Sequence, residues 1–214
     1  MILRPVIVRI PNAPAKGGPQ PARHLSTNSA THSAANADRP RGPAVRALQQ
    51  EYSRKAIAEC ARRMGLPRTG WSKDGDGRPM PLDGAYWSVS HKPHYAAAVI
   101  ADAPVGIDVE QLLPRRDESL FDAVATSGEW SAIGERSWES FFRLWTAKEA
   151  VLKANGVGIG GLPQCRLAGV VDAKLMTLTF EDRTWPVAHT YFDGHVVAVT
   201  TLGRAVEWRT LPTV

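Results

Sequence analysis

The sequence predicts an α+β fold built as two similar α+β lobes in a pseudo-twofold arrangement. Two observations carry that expectation. The order strand, helix, strands occurs once in each half of the 214 residues. From residue 165 onward, short apolar runs alternate with turn residues in the manner of a multistranded sheet. A chain of this length can give each lobe an apolar core of its own. The lobes are expected at residues 1–103 and 104–214, and no internal sequence repeat is visible.

Taken in order, residues 2–10 (ILRPVIVRI) read as an edge strand, because Pro5 has no N–H to give to a ladder on its own side. Residues 11–43 are rich in Pro, Gly, Ser, Asn and Ala without apolar period, which predicts an irregular, mobile loop. A helix is predicted from Ala44 to Met64, with Leu48, Tyr52, Ala56 and Ile57 at helical spacing and Gly65 then Pro67 closing it. The segment WSKDGDGRPMPLDG is turn-rich. AYWSVSH and YAAAVIA follow as two strands joined through Lys92, Pro93 and His94, and PVGIDVEQLL as a third. Helical patterns cover 118–133 and 137–155. CRLAGVV, KLMTLTF, WPVAHTYF and HVVAVTTL then read as strands, with turns at Asp172–Ala173 and Asp193–Gly194.

Composition narrows the function classes. Apolar residues make up 43%, an ordinary globular value that argues against wholesale disorder. No apolar run reaches the ~18 residues a membrane span needs, and the N-terminus lacks a secretory pattern. Cys60 and Cys165 stand without CxxC spacing, which suits a reduced cytoplasmic protein and not a structural zinc site. The net charge of +5 is unevenly spread: residues 1–50 hold seven Lys or Arg against Asp38, or 7 − 1 = +6, so the rest sums to 5 − 6 = −1. A near-neutral body argues against a broad nucleic-acid surface, while a basic N-terminal arm stays open.

Three short elements carry chemistry. In GIDVE, strand alternation puts Asp108 and Glu110 on one face and Ile107 and Val109 on the other; paired carboxylates suit a hard cation such as Mg2+, or else a solvated strand face. In FFRLWTAKEAVLKANGVG, Phe142, Trp145, Glu149 and Leu152 share one helical stripe. If that stripe covers the strand, Glu149 completes a set of three carboxylates, with Lys148 and Lys153 beside a ligand's phosphates. The alternative is an ordinary surface pair between Glu149 and Lys153 at i,i+4 spacing. In SVSHKPH, Ser88, Ser90, His91 and Lys92 cluster at a strand end and can cradle a phosphate. A Ser-His hydrolase is disfavoured, because adjacent Ser90 and His91 point to opposite faces. His94, His189 and His195 read as structural or surface residues.

DGRPMP, WSVSHKPHYAAAVI, VGIDVE and FFRLWTAKEAVLKANGVGI, in this order and spacing from Gly77 to Ile159, resemble the Sfp-type 4′-phosphopantetheinyl transferases. The resemblance implies transfer of 4′-phosphopantetheine from coenzyme A to a serine of an apo acyl or peptidyl carrier protein, with release of adenosine 3′,5′-bisphosphate. It implies that Asp108, Glu110 and Glu149 hold Mg2+ in the second lobe, and that Lys148 and Lys153 meet the phosphates. Ser90 and His91 would hold the 3′-phosphate, together with an arginine for which Arg46 is the candidate. Arg78 and Pro79 would border the adenine; Arg78 stands where the family usually has lysine, which keeps the charge and changes the geometry. Glu149 is the expected proton acceptor, with Lys153 also catalytic. A monomer with no nucleic-acid or membrane partner is expected; the alternative is a non-catalytic homologue that binds coenzyme A or a carrier protein.

Overall fold

The computed structural model describes residues 2–11 and 43–212. The loop expected over 11–43 lies outside the described residues except at its two ends.

Two sheets and two long helices form four layers. The first sheet has the order β2-β3-β1-β9, from β1 (Val6–Arg9), β2 (Tyr86–Lys92), β3 (Tyr95–Ala101) and β9 (Arg209–Leu211). The second has the order β4-β8-β7-β6-β5, from β4 (Ile107–Gln111), β5 (Arg166–Val170), β6 (Leu175–Phe180), β7 (Arg183–Phe192) and β8 (His195–Thr200). α1 (Pro43–Met64) covers the outer face of the first sheet, where Tyr52, Ala56, Ile57 and Cys60 pack on Val6, Val8, Ala96 and Ala98. α4 (Trp138–Ala154) covers the second, where Phe142, Ala147 and Val151 pack on Val187, Val196 and Ala198. The alternate residues of the same strands fill a central core between the sheets: Ile7, Ala97 and Val99 meet Ile107, Val109, Val197 and Val199. β3 and β8 are buried along their whole length because both of their faces are covered.

Local chemistry explains the ends. Gly65 takes φ +70° after α1, and Leu66 N–H closes back on the Ala61 carbonyl, the pattern expected of a glycine C-cap. The helical stretch expected over 118–133 is two helices, α2 (Ser119–Val124) and α3 (Ser127–Ile133). Thr126 separates them by forming a capping box with Glu129.

One element overturns an expectation. β1 is not at an edge: β9 lies parallel beside it, with Arg209 N–H donating to the Pro5 carbonyl. Pro5 precedes the ladder, so its missing N–H costs nothing there. A division near residue 103 separates the two sheets apart from this last strand, which crosses back to the first.

Candidate active site

β4 begins where it touches α4 most closely. A Cβ on Gly106 would lie 1.8 Å from the Ala150 carbonyl oxygen, so only glycine lets these two backbones approach. Alternation from that point turns Ile107 and Val109 into the central core and turns Asp108 and Glu110 toward α4.

Both carboxylates are buried, at 4% and 6% exposure. Asp108 Oδ1 accepts from Ser90 Oγ (2.7 Å) and Lys153 Nζ (2.6 Å). Glu110 Oε1 accepts from Trp145 Nε1 (3.1 Å) and lies 2.8 Å from Lys92 Nζ. Their other oxygens, Asp108 Oδ2 and Glu110 Oε2, are buried and accept no hydrogen bond; Arg115 Nη2 stands 4.0 Å from the latter. Glu149 is half-buried on α4. Burial and then the Asp108 charge raise its pKa, Lys153 opposes, and Glu110 adds to the rise. Burial likewise raises Glu110, against Lys92 and with Asp108.

The three carboxylates therefore share one electrostatic pocket. Among the described residues, no group of three or more His, Cys, Asp or Glu side chains already forms a metal cage. The donor chemistry still fits a hard divalent cation, because two buried carboxylate oxygens lack any donor and a third carboxyl faces the same field.

Alternation along β2 sorts the phosphate-cradle candidates. Ser90 and Lys92 turn toward β4, as does Ser88, whose Oγ accepts from Ile107 N–H (3.2 Å). Trp87, Val89 and His91 turn toward α1. The expected joint grip of Ser90 and His91 is thus divided: Ser90 is bound to Asp108, whereas His91 Nδ1 lies 3.3 Å from Ser53 Oγ. His91 lines a cavity of about 470 Å3 together with Arg54, Arg68, Trp71 and Lys73. Burial and then Lys153, Lys73 and Lys92 lower its pKa. A second cavity of about 300 Å3 is lined by Arg78, Pro79, Ser88, Lys153, Gly156 and Gly158, and shares Lys73 and Val89 with the first.

Two residues expected at the phosphates stand outside both cavities. Lys148 is 1% exposed, donates to Glu129 Oε1 (2.8 Å) and the Val124 carbonyl (2.7 Å), and lines neither of these two cavities. Being adjacent to Glu149, it points about 100° around the helix from it. Arg46 is exposed in the first turn of α1 and lines neither cavity; the α1 arginine that does is Arg54. His189 and His195 are buried, and both cysteines are buried with their thiols pushed up to about 12 by burial, so none of these four enters the site.

Sequence reasoning missed Glu129 and gave Lys92 no role with Glu110. Lys92 was legible as the third of Ser88, Ser90 and Lys92 at period two on one strand face. Glu129 was visible only as the Glu of a T-x-x-E capping box. Its second task, holding Lys148 and the Leu167 N–H (2.8 Å), is a tertiary contact with no local signature.

Residues 104–200 match the family model described as the 4′-phosphopantetheinyl transferase superfamily. The chain is 32% identical over 124 residues to 4′-phosphopantetheinyl transferase psf-1 of Bacillus pumilus, covering 55% of this chain and 53% of that protein. It is 37% identical over 102 residues to 4′-phosphopantetheinyl transferase HetI of a Nostoc species, covering 44% of this chain and 43% of that one. A third relative, 4′-phosphopantetheinyl transferase gsp of Aneurinibacillus migulanus, is 29% identical over 91 residues, 41% of this chain and 38% of its own length. The chain thus spans about half the length of the curated relatives it matches, or less.

Proposed function

We propose, from the match of residues 104–200 to the 4′-phosphopantetheinyl transferase superfamily model, that this protein transfers 4′-phosphopantetheine from coenzyme A to a serine of an apo acyl or peptidyl carrier protein. Adenosine 3′,5′-bisphosphate is the second product. The observation that supports this reading most is the pair of donor-free buried oxygens, Asp108 Oδ2 and Glu110 Oε2, sharing a pocket with Glu149.

Asp108, Glu110 and Glu149 would hold Mg2+, which when bound supplies positive charge to the pyrophosphate oxygens. The chain's own side chains supply the rest. Lys153, which lines the second cavity, donates to a phosphate oxygen there, and Arg78 with Pro79 borders the adenine. Arg54 and Lys73 give the first cavity the charge to accept the remaining phosphate, and His91 lines it as a neutral imidazole. The carrier serine Oγ bonds to the β-phosphorus as the bond to the bridging oxygen breaks and the bisphosphate departs. Glu149 takes the serine proton, directly or through a water. Lys and Arg around the two cavities meet an acidic carrier helix, which makes association salt-sensitive. The reading includes a monomer working in the cytoplasm, expectations that rest on sequence. No helix among the described residues is long and apolar enough to cross a membrane.

Incubation with coenzyme A, Mg2+ and several unrelated apo carrier proteins, read by intact mass, is expected to add one phosphopantetheine to at least one carrier. Binding of coenzyme A without any mass gain would instead make the protein a non-catalytic homologue.

A further inference from the structure

Lys92 reaches across from the end of β2 and sets its ammonium 2.8 Å from Glu110 Oε1. Glu110 is 6% exposed, while the Lys92 side chain keeps 34% of its surface in solvent. Lys153 holds Asp108 Oδ1 in the same way, but it is rooted on α4 and donates also to the Ile107 carbonyl. Trp145 Nε1 shares Glu110 Oε1 with Lys92, so the carboxylate keeps a donor on that oxygen if the lysine leaves. Lys92 is therefore the cation of the site that can withdraw to water without leaving Glu110 Oε1 bare.

We propose that Lys92 is a built-in counter-ion that occupies Glu110 and must give way when a divalent cation arrives, so that it weakens cation binding and sets the affinity of the site. This rests on the reading of Asp108 and Glu110 as cation ligands. The physics is a competition. A burying carboxylate needs a positive neighbour in the empty state, and an ammonium held at 2.8 Å repels a divalent ion drawn to the same group. Removing the ammonium strengthens the cation's hold and deprives the empty protein of a stabilising pair.

The test uses Mn2+ alone as probe, with the full chain and no coenzyme A, by equilibrium dialysis and by thermal melting with and without EDTA. Lys92→Met is expected to bind Mn2+ about tenfold or more tightly than the parent protein, a factor set by the repulsion removed. In EDTA it should melt lower than the parent, with Mn2+ restoring the difference, and Lys92→Arg should behave as the parent does. Lys92→Gln gives the same expectation if the Met variant does not fold. Unchanged or weaker Mn2+ binding by the folded variants overturns the proposal, because a merely structural lysine would give that result. Glu110→Gln separates the two layers: if the parent's Mn2+ affinity survives that change, the ligand reading fails along with the counter-ion. If only Lys92→Met leaves affinity unmoved, the counter-ion alone fails.

Discussion

The two lobes handle charge in opposite ways. In the second, Lys148 and Glu129 are sealed together at 1% and 6% side-chain exposure, and the carboxylates of β4 lie under α4 at similar depth. In the first, the Lys55–Glu51 pair of α1 lies in solvent, keeping 42% and 54% of its side-chain surface. Its basic side chains line an open cavity. Buried charge has to be matched group by group or the fold suffers, whereas exposed charge can be spared for a ligand. The seam between β2 and β4 is where the two regimes meet, with hydroxyl and ammonium groups from one strand satisfying carboxylates of the other.

The sharpest way to break this contrast is Lys148→Met, which removes the buried cation of Glu129 and leaves it only the half-exposed Arg166 at 3.6 Å. It is expected to cost about 3–5 kcal/mol in urea unfolding, with much of that recovered when Glu129→Leu is added. A stable Lys148→Met protein with weakened coenzyme A binding would return Lys148 to the phosphates and erase the distinction. Next in size, Asp108→Asn keeps the Ser90 and Lys153 neighbourhood but removes a negative charge. Carrier modification followed by intact mass should slow by about two to three orders of magnitude, while circular dichroism stays that of the parent.

A pH series probes burial in the second lobe. His189 lies under α4 against the Arg143 carbonyl, and burial, aided by the Arg143 charge, holds its pKa down to about 4 from an ordinary 6.5. The unfolded chain binds a proton at pH values where the folded one does not. Stability from this group is therefore full above pH 6.5, declines as the pH falls toward 4, and changes no further below that. The decline should amount to about 3 kcal/mol in unfolding midpoints measured along the series, and His189→Gln should flatten it. Smallest is the counterpart in the first lobe: Lys55→Ala, removing an exposed i,i+4 pair, is expected to change stability by no more than about 0.5 kcal/mol in the same assay. A loss of several times that would mean α1 depends on its surface charges after all.

Much of this was legible in the sequence where a local rule decides. Leu48, Tyr52, Ala56 and Ile57 are placed by helical period, and Asp108 and Glu110 by strand period. What escaped depends on contacts distant in sequence. The three residues of β9 carry no period long enough to detect, so β1 looked like an edge. Lys148 differs from Lys153 only by its angle around α4, and the identity of what lies behind that face, Glu129 on α3, comes from packing alone. The division of Ser90 from His91 was visible, since alternation separates neighbours. That each side has its own occupant, Asp108 for one and Ser53 for the other, was not.

The parallel seat of β9 beside β1 has a consequence for biogenesis. A ribosome delivers β1 about two hundred residues ahead of the strand that flanks it. Until Arg209–Leu211 emerges, Val6–Arg9 offers an unsatisfied ladder to any passing chain. The first lobe thus waits, incomplete, until β9 has been made, and a nascent polypeptide stalled before that point is the species a chaperone would be expected to hold.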